Sequence, residues 1–312
     1  MKKFSVSIKG VGSYVPDNIV TNKDLADKYG TSETWPESYL GIKERRWVDK
    51  ELSSDLGYKA SLVALEKASI NKDEIDLLIL ATSTPDKIAP STACIIADKL
   101  DIKCPAFDIN AVCTGFLYGL NIAIPLIESG AYKNILLVAS ETYSRITDKK
   151  NRDLVYFGDG AGAVVISKSN KEGWMTTKVY SDGKGKDGFV TPIGSTFIMD
   201  GKAVFETGTT QLPIAINKLL EETKFTVDNI KCVVPHQPGI KVLEKIVEKV
   251  NIPFDKVVTV MDKYANIAAA SIPIALDHAI KENRINDGDI IMLASIGSGW
   301  TWGVGLIKWE NK

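Results

Sequence analysis

The sequence predicts an α/β fold built from two pseudo-twofold-related halves, each a parallel sheet covered by helices. Three observations predict it. Short, continuous apolar runs at residues 77–82 (LLILAT), 135–140 (ILLVAS) and 290–295 (IIMLAS) have the composition of strands buried on both faces. Segments of helical apolar periodicity alternate with them. The order also repeats: 31 residues lead from Thr82 to Cys113 and 30 from His236 to Asn266, each just before an apolar helix. A further 22 residues lead from Cys113 to Ile135, and 24 from Asn266 to Ile290.

The elements follow in order. Residues 4–10 alternate as a strand, which Gly10-Val11-Gly12 and Pro16-Asp17 close with turn chemistry. Asn22 is the expected N-cap of a helix reaching Tyr29. Residues 31–46, with Trp35, Pro36 and Gly41, form a loop or lid. A helix spans 55–68, with Leu62, Leu65 and Ala68 on one side, and LLILAT is the next strand. Ser91 caps a helix to Leu100, 106–109 is a strand, and after Cys113 the residues Phe116, Leu120, Ile124 and Ile127 recur at helical steps. ILLVAS follows, then a charged loop at 147–153 and a glycine turn into a strand at 157–167 (FGDGAGAVVIS). Residues 173–201, rich in Gly, Ser and Asp, read as a junction, so the halves are 1–170 and 171–312. The second half then gives a strand at 232–235, a helix at 240–250, a strand at 257–260, a helix at 268–280, IIMLAS, and a last strand at 301–309.

Composition excludes several classes. The 312 residues carry 38 Lys plus Arg against 39 Asp plus Glu, a net charge of −1 without the basic excess of a nucleic-acid binder. Hydrophobic content of 45% with 25% charged residues is that of a soluble globular protein. The four cysteines, at 94, 104, 113 and 232, form no CxxC pair and have no histidine at metal-ligand spacing, so neither zinc nor a disulfide framework is expected. No apolar run reaches signal-peptide or membrane-span length, which points to a cytoplasmic protein.

Cys113 lies where a strand ends and a helix begins, so the helix dipole and free N–H groups would favour its thiolate. A single cysteine is by itself more often a packing residue. His236, in VVPHQPG, ends an apolar strand, the place where ligands gather in open sheets, although a lone histidine is commonly structural. Asn266, in YANIAAAS, has the alternative of a plain N-cap. His278 falls on the polar side of a helix, and GDGAG at 158–162 precedes a strand instead of a helix, so no nucleotide site is expected there. In a pseudo-twofold arrangement the Cys113 turn faces those of His236 and Asn266. Together they suit thioester chemistry: Cys113 attacks an acyl thioester, and backbone N–H groups of Cys113 and of Ser298, in Gly297-Ser298-Gly299, hold the oxyanion. His236 and Asn266 then donate to the carbonyl of a second thioester.

The motifs GVGSYVPDNIVTN, TSETW, GIKERR, APSTAC, PAFDINAVCTGF, FGDGAGA, VVPHQ, YANIAAAS and GSGWTWG run in order through almost the whole chain. In this the chain resembles the β-ketoacyl-acyl-carrier-protein synthase III family of the thiolase superfamily. The resemblance implies the five-layered αβαβα thiolase fold, a homodimer, no cofactor, and a place in fatty-acid or related biosynthesis. By it Cys113 takes an acyl group from acyl-CoA, and His236 with Asn266 drives decarboxylation of a malonyl thioester that then attacks the acyl-cysteine. It also implies that Trp35 stacks on the adenine of CoA, that Arg152 sits at the ligand's entry, and that Phe157 and Met199 lie near the acyl pocket. Lys241 and Lys249 keep two basic carrier-protein docking positions.

The chain departs from the family at Tyr39, where an arginine is usual, and at Pro238-Gly239, which replace Ala-Asn. Ala89 replaces a bulky aromatic that limits the acyl pocket across the dimer, which implies a primer larger than acetyl. Glu206 and Glu248 stand where lysines are usual, which implies weak carrier-protein docking or an acceptor that is CoA-bound or free. Two alternatives follow: a related acyltransferase of specialised metabolism with a different acceptor, and a non-catalytic thiolase-fold partner subunit.

Overall fold

The computed structural model describes residues 5–169 and 171–311. Phe4, assigned to the first strand, and residue 170, at the boundary of the halves, lie outside them. The described chain runs β1 (Val6–Tyr14), β2 (Ile19–Thr21), α1 (Asn22–Tyr29), β3 (Glu44–Arg46), α2 (Ser53–Ala68), β4 (Leu77–Ala81), α3 (Thr92–Leu100), β5 (Ala106–Ile109) and α4 (Gly115–Glu128). It continues with β6 (Asn134–Thr142), β7 (Asp159–Lys168), β8 (Trp174–Ser181), β9 (Phe189–Val190), β10 (Ile198–Met199), α5 (Gly201–Thr223) and β11 (Ile230–Pro235). The last elements are α6 (Ile240–Lys249), α7 (Met261–Tyr264), α8 (Ser271–Lys281), β12 (Ile290–Gly297) and β13 (Thr301–Lys308).

Two sheets carry the repeat. The first has the order β1-β7-β6-β4-β5, with β4 parallel to both β5 and β6 and the rest antiparallel. The second has the order β8-β13-β12-β11, with β11 parallel to β12 and the other pairs antiparallel. Superposed in thought, β8 falls on β1, β13 on β7, β12 on β6 and β11 on β4. The strand expected at 257–260 as the counterpart of β5 is reduced to one parallel bridge, Val233 to Val257. The side chain of Gln237 is the reason: it donates to the Val258 carbonyl at 3.1 Å and accepts from the Val260 N–H at 3.0 Å, taking groups a ladder would use.

Five layers result. Helices α4 and α8 lie between the sheets, α4 against β4 and β6 on one side and β8 and β13 on the other. Helices α2 and α3 cover the outer face of the first sheet, and α5 and α6 that of the second. Phe116, Leu117 and Leu120 of α4 are fully buried in the central layer, worth about 2–3 kcal/mol each.

Several local expectations change. Strand β1 runs through Gly10 and Gly12 instead of turning there. A Cβ on Gly10 would lie 2.3 Å from the Ala64 carbonyl oxygen, and one on Gly12 2.4 Å from that of Ala60, so these glycines let α2 rest on the strand. Gly162 does the same inside β7, where a Cβ would meet Pro273 of α8 at 2.6 Å. The cap of α1 is Thr21, in a capping box with Asp24. Asn22 is instead a buried first helical residue that donates to the Ile42 carbonyl at 2.7 Å. Leu62 faces solvent while its neighbours Ala60, Ser61 and Ala64 are buried. The stretch 31–46 holds a π-helical turn at Pro36–Leu40 and β3, and 173–201 contains β8, an integral strand of the second sheet.

Candidate active site

Strand β5 ends at Ile109, and a tight turn, Val112–Thr114, delivers Cys113 to the start of α4. Val112 takes φ +46°, a left-handed conformation costly for a β-branched residue, on the order of 1–3 kcal/mol. The Asn110 side chain braces it by accepting the Val112 N–H at 3.2 Å. The same turn recurs in the second half: Ala268 has φ +40°, and Asn266 Oδ1 accepts its N–H at 2.8 Å. Asn266 is therefore the equivalent of Asn110, and the position matching Cys113 is Ala269. This corrects the pairing of Cys113 with Asn266 that the spacing suggested.

His236 follows β11 directly, and its ring Nε2 lies 3.0 Å from Asn266 Oδ1. Because that oxygen already accepts the Ala268 N–H, it is an acceptor, and Nε2 must donate. His236 is thus the Nε2–H tautomer, and Asn266 Nδ2 remains as a donor for a ligand. Both side chains are buried. Desolvation lowers the His236 pKa to about 4, against the hydrogen bond to Asn266, so the ring is neutral. Among the described residues its Nδ1 has no partner; Pro238, two residues on, has no N–H to offer.

Cys113, His236 and Asn266 line one cavity of about 370 Å³, which also touches Gly297 and Ser298. A Cβ on Gly297 would stand 3.0 Å from the Cys113 nitrogen and 3.1 Å from that of Thr114, so a side chain there would press on the cysteine turn where β12 meets it. Ser295 Oγ donates to the Cys113 carbonyl at 2.8 Å and fixes the turn from the same strand. The Cys113 thiol is pushed up by burial and then by the charge of Glu141, so it rests protonated despite its place at a helix start.

The mouth is aromatic. Trp35 stacks on Tyr39 with ring centroids 5.9 Å apart, Tyr156 meets Trp35 edge-on at 5.9 Å, and the Arg152 guanidinium lies 5.4 Å from the Trp35 ring. Arg152 itself is exposed and does not line the cavity. Phe157 and Met199 do line it, and Phe157 stacks on Tyr143 at 4.4 Å. Ala89 sits on an exposed loop and is no part of the chain's own cavity. Lys241 lines the mouth but is paired with Glu244 at 2.9 Å, and Lys249 donates to the Thr209 carbonyl at 2.7 Å. Glu206 pairs with Lys202 at 3.7 Å and Glu248 with Lys245 at 2.8 Å. Among the described residues no cluster of three or more His, Cys, Asp or Glu could hold a metal, and no helix is long and apolar enough to cross a membrane.

The family model for 3-oxoacyl-[acyl-carrier-protein] synthase III matches residues 107–183, and the model for the C-terminal part of the same enzyme matches 220–309. The β-ketoacyl-[acyl-carrier-protein] synthase III of Clostridioides difficile is 40% identical, covering 97% of this chain and 98% of its own. The chain belongs to the synthase III family. The enzyme of the same name from Xanthomonas campestris is 36% identical over 99% of both chains. The crystal structure of 3-oxoacyl-[acyl-carrier-protein] synthase III from Aquifex aeolicus, 38% identical, superposes with a TM-score of 0.95 over 97% of this chain and 100% of that one. This synthase III therefore has the thiolase fold and is an acyltransferase of the condensing class.

Sequence reasoning missed two groups in this synthase III. Tyr143, Phe189 and Phe197 build, with Phe157, an aromatic box beside Cys113, from residues scattered between β6 and β10. Glu141 is a fully buried carboxylate accepting from the Ser83 N–H and hydroxyl and, at 2.6 Å, from Thr84 Oγ1. The one sequence signal was a Glu-Thr pair directly after the apolar run ILLVAS, where a strand buried on both faces should have ended.

Proposed function

We propose that this synthase III loads an acyl group from acyl-CoA onto Cys113 and condenses it with a malonyl thioester decarboxylated at His236 and Asn266. One observation carries the proposal: a histidine whose Nε2 is fixed as a donor, an asparagine with Nδ2 to spare, and a cysteine at a helix start share one cavity. In the first step the Cys113 sulfur attacks the acyl-CoA carbonyl, the N–H groups of Cys113 and Ser298 hold the oxyanion, and the thiol proton leaves with the CoA thiol. In the second the bond from the malonyl methylene to its carboxylate breaks, CO₂ departs, and the electron pair becomes an enolate. Its oxygen is held by Asn266 Nδ2–H and by His236 Nε2–H, which turns from Asn266 Oδ1 to the enolate as the ligand binds. The enolate carbon attacks the acyl-cysteine, and Cys113 is released as the β-ketoacyl product forms.

The relatives' names include an acyl carrier protein, and we propose one as the malonyl donor. A second reading, with a CoA-bound or free acceptor, is favoured by Lys241, which lines the mouth but is paired with Glu244, and by Lys202 and Lys245, each paired with a glutamate of its own helix. A homodimer is supported by β5, which ends the first sheet with its outer edge unpaired and Phe107 partly exposed. Four unpaired cysteines support a reducing, cytoplasmic setting. The test is intact-mass measurement after incubation with a panel of acyl-CoAs, joined to CO₂ release from malonyl thioester. Acylation of the wild type but not of Cys113→Ala is expected; no acyl adduct with any member of the panel would refute the proposal.

A further inference from the structure

Arg45 is the largest fully buried side chain of the described residues, and it is a cation. It forms no ion pair among them. Its guanidinium instead donates to three neutral acceptors: the Val20 carbonyl at 3.2 Å, Asn22 Oδ1 at 2.8 Å and the Val155 carbonyl at 2.9 Å. Burial lowers its pKa only to about 10, so it stays charged. A buried cation without a carboxylate is costly, and apolar replacements of such groups are often tolerated by the fold, so stability alone is a poor account of it.

What Arg45 holds is the strap 155–158. Two residues along β3's extension, Trp47 donates its Nε1–H to the Phe157 carbonyl at 3.1 Å, so one short segment grips the strap twice. The strap in turn grips Asn266: the Asn266 N–H donates to the Tyr156 carbonyl at 3.1 Å, and the Gly158 N–H to the Asn266 carbonyl at 3.0 Å. Gly158 has no room for a side chain, since a Cβ would lie 2.3 Å from the Tyr264 carbonyl oxygen. The Lys43 N–H, on the other flank, donates to the Asp262 carbonyl of α7, which leads into Asn266. The residues 43–47 thus set the backbone of Asn266 from two sides, whereas the Cys113 turn is held separately by Asn110 and Ser295.

We infer that Arg45 is a positioning residue for the decarboxylation half-reaction, acting through the strap 155–158 to aim the Asn266 amide beside His236. The inference rests on the proposed roles of His236 and Asn266. Its consequence is a split between two half-reactions that share one fold. Arg45→Met is expected to lower CO₂ release from malonyl thioester about 100-fold, the scale of a misplacement near 1 Å, while acylation of Cys113 by acyl-CoA stays within about threefold. Arg45→Lys, able to reach one carbonyl, recovers part of the loss. Trp47→Phe, which keeps the ring and removes only the hydrogen bond to Phe157, gives a smaller loss of the same kind and serves if Arg45→Met does not fold. Acylation and decarboxylation falling in proportion in either folded variant, or neither falling, would overturn the inference. A wild type that neither acylates nor decarboxylates would instead overturn the function on which it rests.

Discussion

His236 and Asn266 meet with a fixed polarity: Nε2–H donates to Oδ1 over 3.0 Å, and the Ala268 N–H locks that oxygen in place. The donor the pair leaves for a ligand is therefore Asn266 Nδ2, with the His236 Nε2–H held on Oδ1. Asn266→Asp should turn the ligand-facing amide into a carboxylate with no hydrogen to give. Decarboxylation is expected to fall by about 100- to 1,000-fold, as for loss of one oxyanion donor, with acylation of Cys113 little changed. CO₂ release and intact mass, measured on one preparation, check both halves of the statement.

Glu141 adds a pH-dependent part to the burial that raises the Cys113 thiol. Burial holds the Glu141 carboxyl at about 7, and its charge adds to the burial that raises the thiol. Below neutrality Glu141 is protonated and has little effect; as pH rises through about 7 its carboxylate forms and opposes the thiolate. Glu141→Gln should match the wild type in iodoacetamide alkylation at acid pH and exceed it by about three- to tenfold above pH 7. Equal rates above neutrality would remove Glu141 from the account.

Four lysines of α5 and α6, of which Lys241 lines the cavity, have partners within the chain. Lys202, Lys241 and Lys245 are each paired with a glutamate three or four residues on, and Lys249 is committed to a carbonyl. Reversing two of these charges, Glu206→Lys with Glu248→Lys, should speed association with a holo carrier protein about tenfold at low salt and much less at high salt. Loading from acyl-CoA serves as the control and should not change.

Strands were readable where burial on both faces leaves a continuous apolar run, as in LLILAT and IIMLAS, because hydrophobicity there reports position directly. Gly10 and Gly12 misled because a glycine that admits a helix backbone looks, in one dimension, like a glycine that turns the chain. The cysteine was matched to the wrong residue because the true counterparts, Asn110 and Asn266, lie 28 and 30 residues beyond their strand ends at Thr82 and His236. That two-residue difference is invisible until the paired left-handed turns are seen. Glu141 and Arg45 were hidden for another reason: their partners are distant in sequence, and a buried charge leaves no local periodicity.

Ala89, which the family resemblance ties to primer size, does not line the cavity that holds Cys113. The wall nearest Cys113 is aromatic, with Phe157 and Phe189 lining the cavity and Tyr143 and Phe197 packed behind them. Any widening by Ala89 must therefore act in a second copy of the chain. The wild type should load primers larger than acetyl, and Ala89→Phe should shift the panel toward acetyl in the dimer. A wild type that clearly prefers acetyl, with Ala89→Phe unchanged, would contradict this.

Two glycines separate a close approach that serves chemistry from one that serves packing. At Gly10 an added Cβ would strike backbone on α2 at 2.3 Å and 2.4 Å, where neither helix nor strand can yield cheaply. Gly10→Ala should cost about 3 kcal/mol of stability and leave the kinetics of the folded fraction intact. At Gly297 the added Cβ meets the Cys113 and Thr114 nitrogens at 3.0 Å and 3.1 Å, a strain that a shift of a few tenths of an ångström in the cysteine turn would relieve. That shift displaces the oxyanion donor, so Gly297→Ala should lower the rate of Cys113 acylation by about 10- to 100-fold while thermal melting moves little. Should Gly297→Ala melt early with full activity, β12 would be shown to seat the turn without shaping it.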